Sequence, residues 1–140
     1  MESSITVETD LFEHRLVKPH FINPCCFGED FAAWLIRELA PLTQSRFRFS
    51  EPMQEDYGWG FWSWFGKDRF WIALSYAGDG PQEPPAQWVI SVTCDPGFNL
   101  IKRLFRKPDQ QALQTLSDRV RQVIMKESNF KIVPHPRYSA

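Results

Sequence analysis

The sequence predicts an α+β fold, in which an antiparallel sheet of about four to six strands packs one face against two main helices. Apolar residues alternate with polar ones in several short stretches and recur at helical spacing in two longer ones. The expected order of elements is β-α-β-β-β-β-α-β, with one additional short helix. The chain has 140 residues, an ordinary size for one domain, so we expect residues 1–140 to form a single α+β domain.

The first third of the chain predicts a tail, a strand and a helix. Residues 1–10 are polar and are expected to be loose. Residues 11–22 mix apolar and polar side chains as in an irregular strand, with Pro19 at an edge or a bend. Apolar residues at every third or fourth position predict a helix over 29–40. Pro41 is expected to end it, because proline lacks a backbone N–H.

The middle of the chain predicts most of the sheet. Alternation predicts four strands, at 46–50, 57–65, 68–77 and 87–95. Gly66 and Lys67 fit a two-residue hairpin turn, and Gly and Pro residues indicate a loop over 78–86. On the last two strands the apolar residues share one face, which is expected to meet the helices: Phe70, Ile72, Leu74, Tyr76, Trp88, Ile90, Val92 and Cys94.

The last third of the chain predicts helices and a closing strand. Helical spacing indicates a short helix at 98–105. Asp109 is expected to cap a longer helix that continues to about residue 126, because its carboxylate can accept a hydrogen bond from a first-turn N–H. A short strand is expected at 130–133, followed by a loose tail over 134–140.

The aromatic residues are too concentrated in one segment to enter a single core. The chain has 6 Trp and 12 Phe, and segment 57–65 carries aromatic side chains on both alternating sets of positions. One set can be buried, and the other must be covered or exposed; a large exposed apolar patch usually marks an interaction site. We therefore expect a homodimer or partner interface. The expected binding residues are Glu55, Asp56, Tyr57, Trp59, Trp62, Trp64 and Trp71.

Charge and cysteine content favour a cytoplasmic protein without a polyanionic ligand. The formal net charge is -1, and the basic run at 102–107 fits a solvated helix face better than a nucleic-acid site. Three cysteines, two of them adjacent, make a poor disulfide framework and fit a reducing compartment. We expect no secretory leader and no membrane contact, because no apolar run approaches the roughly 18 residues that a spanning helix needs.

No pattern of residues predicts a catalytic, metal or cofactor site. His14, His20 and His135 lie far apart, and no glycine loop precedes a helix as phosphate binding requires. Cys25 and Cys26 precede a helix, a position that can activate a thiol, but acidic residues at the same helix start oppose a thiolate. We expect these cysteines to pack as small apolar residues, and we expect no catalytic residue, no metal and no cofactor.

The stretch from Glu55 to Trp59 places an acidic pair before an aromatic-Gly-Trp strand start. It resembles an E-D-W/Y-G-W motif of small bacterial α+β proteins, which are similar in size and plan to immunity proteins that neutralise bacterial toxins. The resemblance implies a protein that binds a protein partner and has no assigned reaction.

Three functions are open at this point. The first is a non-enzymatic, immunity-like protein-binding module that uses the acidic and aromatic surface around 55–65. An alternative is a small hydrolase or transferase that uses Glu51, Glu55 and Asp56 as acid and base. The third is a subunit of a structural homo-oligomer.

Overall fold

A computed structural model of the protein describes residues 2–23, 26–42, 46–77, 85–94 and 109–134. Over these residues the chain forms seven strands and two helices. The strands are β1 (Glu2–Thr9), β2 (Arg48–Phe49), β3 (Met53–Glu55), β4 (Gly58–Phe65), β5 (Asp68–Tyr76), β6 (Ala86–Cys94) and β7 (Lys131–Val133), and the helices are α1 (Glu29–Leu42) and α2 (Gln110–Lys126).

The strands form one antiparallel sheet in the order β2-β4-β5-β6-β1-β7, and β3 also pairs with β4. The predicted α+β fold is therefore confirmed, with β3 as a strand beyond the expected six. Neither helix in the described part of the chain combines the length and the apolar composition needed to cross a membrane.

The core lies between the two helices and one face of the sheet, here called the helix face. Apolar residues of α1 and α2 pack against alternate residues of the four long strands, as the spacing predicts. The strand residues buried in this core are Ile5, Val7, Trp59, Phe61, Phe70, Ile72, Leu74, Tyr76, Ala86, Trp88, Ile90 and Val92. The side chains between them point to the opposite side of the sheet, here called the open face.

The prediction for the N-terminal segment is wrong. Residues 2–9 are the strand β1, which pairs with β6 from Glu2↔Thr93 to Thr9↔Ala86, and 11–22 contain no strand. Ile5 and Val7 supply a short alternating pattern, and burying them stabilises β1 despite the serine and threonine between and around them.

The expected end of α1 at Pro41 is also wrong, because the helix includes Pro41 and ends at Leu42. A proline in the last turn removes only its own hydrogen bond to the preceding turn, and few helical residues follow it. The predicted short helix at 98–105, most of the loop at 78–86 and nearly all of the tail at 134–140 lie outside the described residues.

Two local predictions are confirmed. The Asp109 carboxylate accepts a hydrogen bond from the Ala112 backbone N–H at 2.9 Å and so caps α2. Gly66 has φ of 59°, and Phe65 pairs with Asp68, so Gly66 and Lys67 form a two-residue turn between β4 and β5. A positive φ at the first turn position is a conformation that glycine adopts without strain.

The edge of the sheet next to β4 contains a β-bulge. Phe49 pairs with Ser63 and Met53 pairs with Gly60, so residues 50–52 lie opposite residues 61–62. The edge strand thus has one residue more than the facing part of β4, and this residue shifts by one position the alternation of its side chains between the two faces. Arg48, in β2, and Glu55, in β3, therefore both lie on the open face although seven positions separate them.

Candidate binding surface

Trp59 does not belong to a binding surface, contrary to the sequence-based expectation. It lies on the helix face and is 4% exposed. Its indole Nε1 donates a hydrogen bond to the Cys26 carbonyl at 2.8 Å, which satisfies the polar atom that burial would otherwise leave unpaired. Trp59 therefore joins β4 to the segment before α1 and contributes to the core.

The other predicted aromatic residues lie on the open face and keep part of their surface in solvent. Trp62 and Trp64 alternate along β4, and Trp71 lies directly opposite Trp62 on β5, with 4.7 Å between their ring centroids. The Trp71 Nε1 donates a hydrogen bond to the Tyr57 hydroxyl at 2.5 Å, and Tyr57 is 47% exposed. We call Tyr57, Trp62, Trp64 and Trp71 the tryptophan patch.

Gly60 makes room for one of these rings. A Cβ atom at this position would lie 2.3 Å from Cζ2 of Trp71, so the indole covers the backbone where a side chain would stand. Aromatic residues often cover a strand glycine in this way. The absence of a side chain at Gly60 therefore lets Trp71 lie across β4 and reach Tyr57.

Two arginines, which the sequence-based expectation did not include, extend the patch. The guanidinium of Arg69 lies 4.3 Å from the ring centroid of Trp62, and that of Arg48 lies 5.7 Å from the ring centroid of Trp64. Both distances permit a cation–π interaction. Trp64 pairs with Arg48 on one side and with Arg69 on the other, so the three residues form a row across β2, β4 and β5.

The predicted acidic residues lie at the other end of β4. Glu55 and Asp56 are exposed, and the Asn23 side-chain amide reaches both the Glu55 carbonyl (3.3 Å) and the Asp56 Oδ1 (3.4 Å). Partial burial raises the pKa of Tyr57 above its ordinary value; the Trp71 hydrogen bond lowers this pKa, and the negative charge of Glu55 raises it. The open face thus has a cationic end and an acidic end, separated by the length of β4.

Among the described residues, the remaining candidate chemical groups do not come together in a site. Glu51, Glu55 and Asp56 are all exposed, whereas a carboxylate pair that works as acid and base needs a cleft that perturbs it. Cys26 is buried, and its thiol donates to the Asp56 carbonyl at 3.2 Å, as expected of a packing residue; Cys25 lies outside the described residues.

Each of the two described histidines, His14 and His20, lies close to a carboxylate. His14 is buried and its Nε2 lies 3.3 Å from Asp10, while the exposed His20 lies 2.6 Å from Glu29. No group of three or more potential ligand residues is suitable for a metal ion in the part of the chain that the structure describes. His135 and the basic run at 102–107 lie outside that part.

Comparison with protein-family models, with curated proteins and with solved structures found no match for this chain.

Proposed function

We propose that this chain is a non-enzymatic protein-binding module and that its partner binds the open face of the sheet. The observation that supports the proposal is the tryptophan patch, which lies partly exposed beside Arg48 and Arg69 on the face that neither described helix covers.

The composition of this surface is typical of a protein interface. Trp, Tyr and Arg supply most of the binding free energy at such interfaces, because they combine a large apolar area with a polar group that can be satisfied. Stacking on Trp62 and Trp64 holds the two guanidinium groups in place, so less side-chain entropy is lost when a partner binds them.

A role like that of an immunity protein, which the resemblance of residues 55–59 implies, would use the same face. Glu55 and Asp56 would then contact basic groups of the partner, while the tryptophan patch would supply the apolar area. The alternative of a hydrolase or transferase has weaker support, because its three carboxylates are exposed to solvent.

Site-specific photo-crosslinking in cells that express the chain tests the proposal. The photoreactive amino acid p-benzoylphenylalanine replaces Trp64 in one variant and Tyr57 in another, since both positions already hold an aromatic ring. The matched control carries it at Met125, which is 67% exposed on α2 and belongs to the opposite side of the molecule.

We expect covalent protein adducts from positions 64 and 57 and far fewer from position 125. Circular dichroism of each purified variant checks that it is folded. If the folded variants at 64 and 57 give no adduct above the level of the control, the open face is not a protein-binding surface.

A further inference from the structure

The open face carries charges of opposite sign at the two ends of β4. Arg48 pairs with Trp64 near the end of the strand, and the exposed Lys67 lies in the turn that follows it. Glu55 pairs with Gly58 at the start of the strand, and the exposed Asp56 lies in the turn before it. No ion pair among the described residues involves any of these four side chains.

This arrangement is complementary to itself. Consider two copies whose open faces pack against each other, related by a two-fold axis that lies between the sheets and perpendicular to the strands. Rotation about this axis places β4 of one copy over β4 of the other, with the two strands in opposite directions. The edge next to β4 then lies on the same side in both copies. The cationic end of one copy then lies over the acidic end of the other, and the symmetry produces this contact twice. Arg48 would face the mate's Glu55, and Lys67 would lie near the mate's Asp56.

We propose that the occupant of the open face is a second copy of this chain, packed sheet on sheet with the two β4 strands antiparallel. This inference rests on the proposed function and names its partner. Sheets that pack face to face keep their strands within about 30° of each other, which allows both charged contacts to form.

The centre of the same arrangement is apolar. The β-bulge at 50–52 places Met53, an exposed apolar residue, on the open face opposite Gly60. The two-fold axis passes between the row of Trp62 and the row of Gly60, so Trp62 of each copy would pack against Met53 of the other. Burial of these side chains would supply the affinity, and the charged ends would fix the orientation.

The extent of the face fits such a dimer. The strands β1, β4, β5 and β6 have eight or nine residues each. At about 3.3 Å per residue and about 4.8 Å between strands they present about 500 Å² in plan. Side chains corrugate this area, so the accessible surface approaches the roughly 800 Å² per partner that a standard interface buries.

Charge reversal in two separate variants tests the orientation. R48E/K67E reverses two of the cations at one end of the face, and E55K/D56K reverses both acidic residues at the other end. By sedimentation we expect a dimer for the wild-type chain and, for each variant alone, association weaker by about tenfold or more, because like charges then meet twice. In an equimolar mixture of the two variants both contacts join opposite charges, so the mixture should form the dimer again.

A second measurement does not depend on the folding of multiply charged variants. K67C and D56C change exposed turn positions, and a mixture of the two should form a disulfide between positions 67 and 56 of different copies faster than either variant pairs with itself. Mass spectrometry of the linked peptides separates this product from any disulfide of the native cysteines.

Three results would overturn the inference. The first is a monomeric wild-type chain at concentrations up to about 100 μM, well above the dissociation constant of a specific dimer. The second is a dimer that survives in both folded variants, and the third is a mixture that does not recover association. Adducts of another protein at position 64, together with a monomeric chain, would exclude the second copy and leave the proposed function intact. Binding of a single-stranded oligonucleotide by a monomeric chain would likewise exclude the second copy as the occupant of the open face.

Discussion

The two faces of the sheet are built from the same strands and differ in how they stabilise their aromatic residues. On the helix face, Phe61 and Phe70 are fully buried, and removal of their surface from water is the main stabilising contribution. On the open face, Trp62 and Trp71 remain partly exposed, and they gain from contact with each other and with Arg69.

This difference shows that aromatic content alone does not define a core. Successive residues of β4, such as Phe61 and Trp62, have similar hydrophobicity and point to opposite sides of the sheet. The helices decide which of them is buried. The helix face therefore carries most of the stability, and the open face retains surface that a partner can cover.

The largest effect should come from truncation on the helix face. Phe61→Ala is expected to lower the free energy of unfolding by about 3–5 kcal/mol, because it removes a fully buried ring and leaves a cavity. Trp62→Ala is the matched change on the open face and should cost only about 1 kcal/mol. Urea unfolding of dilute protein measures both, and equal losses would mean that the two faces are buried to the same degree.

Gly60→Ala should give the next largest effect. The new Cβ would lie 2.3 Å from the Trp71 ring and 2.7 Å from the Ile72 carbonyl oxygen, so the indole must move from β4. We expect a loss of about 2 kcal/mol. In a Trp71→Ala background the ring is absent and the loss should be smaller, since only the backbone contact remains. A loss of the same size in both backgrounds would show that Trp71 does not lie over this glycine.

Asp109→Ala should destabilise the protein by about 1 kcal/mol through α2, which covers the helix face. The substitution removes the carboxylate that accepts the Ala112 N–H. Asp109→Asn is the control, because an asparagine oxygen can accept the same hydrogen bond. Thermal unfolding should separate the two variants, and an alanine variant as stable as the asparagine variant would argue against the cap.

The smallest effect concerns Tyr57 at alkaline pH. Because its pKa is raised in the folded protein, the folded state holds the phenol proton more tightly than the unfolded chain does. This contribution to stability is complete below the unfolded pKa of about 10 and is lost as the pH rises through the higher folded pKa. The urea midpoint should therefore fall more steeply above pH 10 in the wild type than in Tyr57→Phe, and parallel curves would contradict the raised pKa.

Local patterns in the sequence predict the interior of the fold well. The alternation of Phe70, Ile72 and Leu74 identifies the helix face of β5, because a strand with one buried face must place its apolar residues at every second position. Asp109 predicts the start of α2 for an equally local reason. The polar composition of the first residues leads to the wrong prediction of a loose tail where β1 lies. Ile5 and Val7 alternate as strand residues do, but the residues around them are polar.

The binding surface is less accessible to sequence reasoning, because it depends on contacts between distant segments. In β4 both alternating sets are aromatic, so the sequence alone does not distinguish the buried Trp59 from the partly exposed Trp62. The pairing of Arg48 and Arg69 with Trp64 follows from the register of three strands. The sequence identifies the acidic pair at Glu55 and Asp56, but it does not predict how far this pair lies from the arginines.

The extra residue at 50–52 sets the phase of the edge strand. If the ladder of β3 continued through this segment without the bulge, Arg48 would pair with Phe65 and Phe49 with Trp64. Phe49 would then leave the core for solvent and Arg48 would turn toward the helices. Deletion of one of the three residues, by contrast, would leave two residues opposite two, so Phe49 and Met53 would keep their partners and their faces.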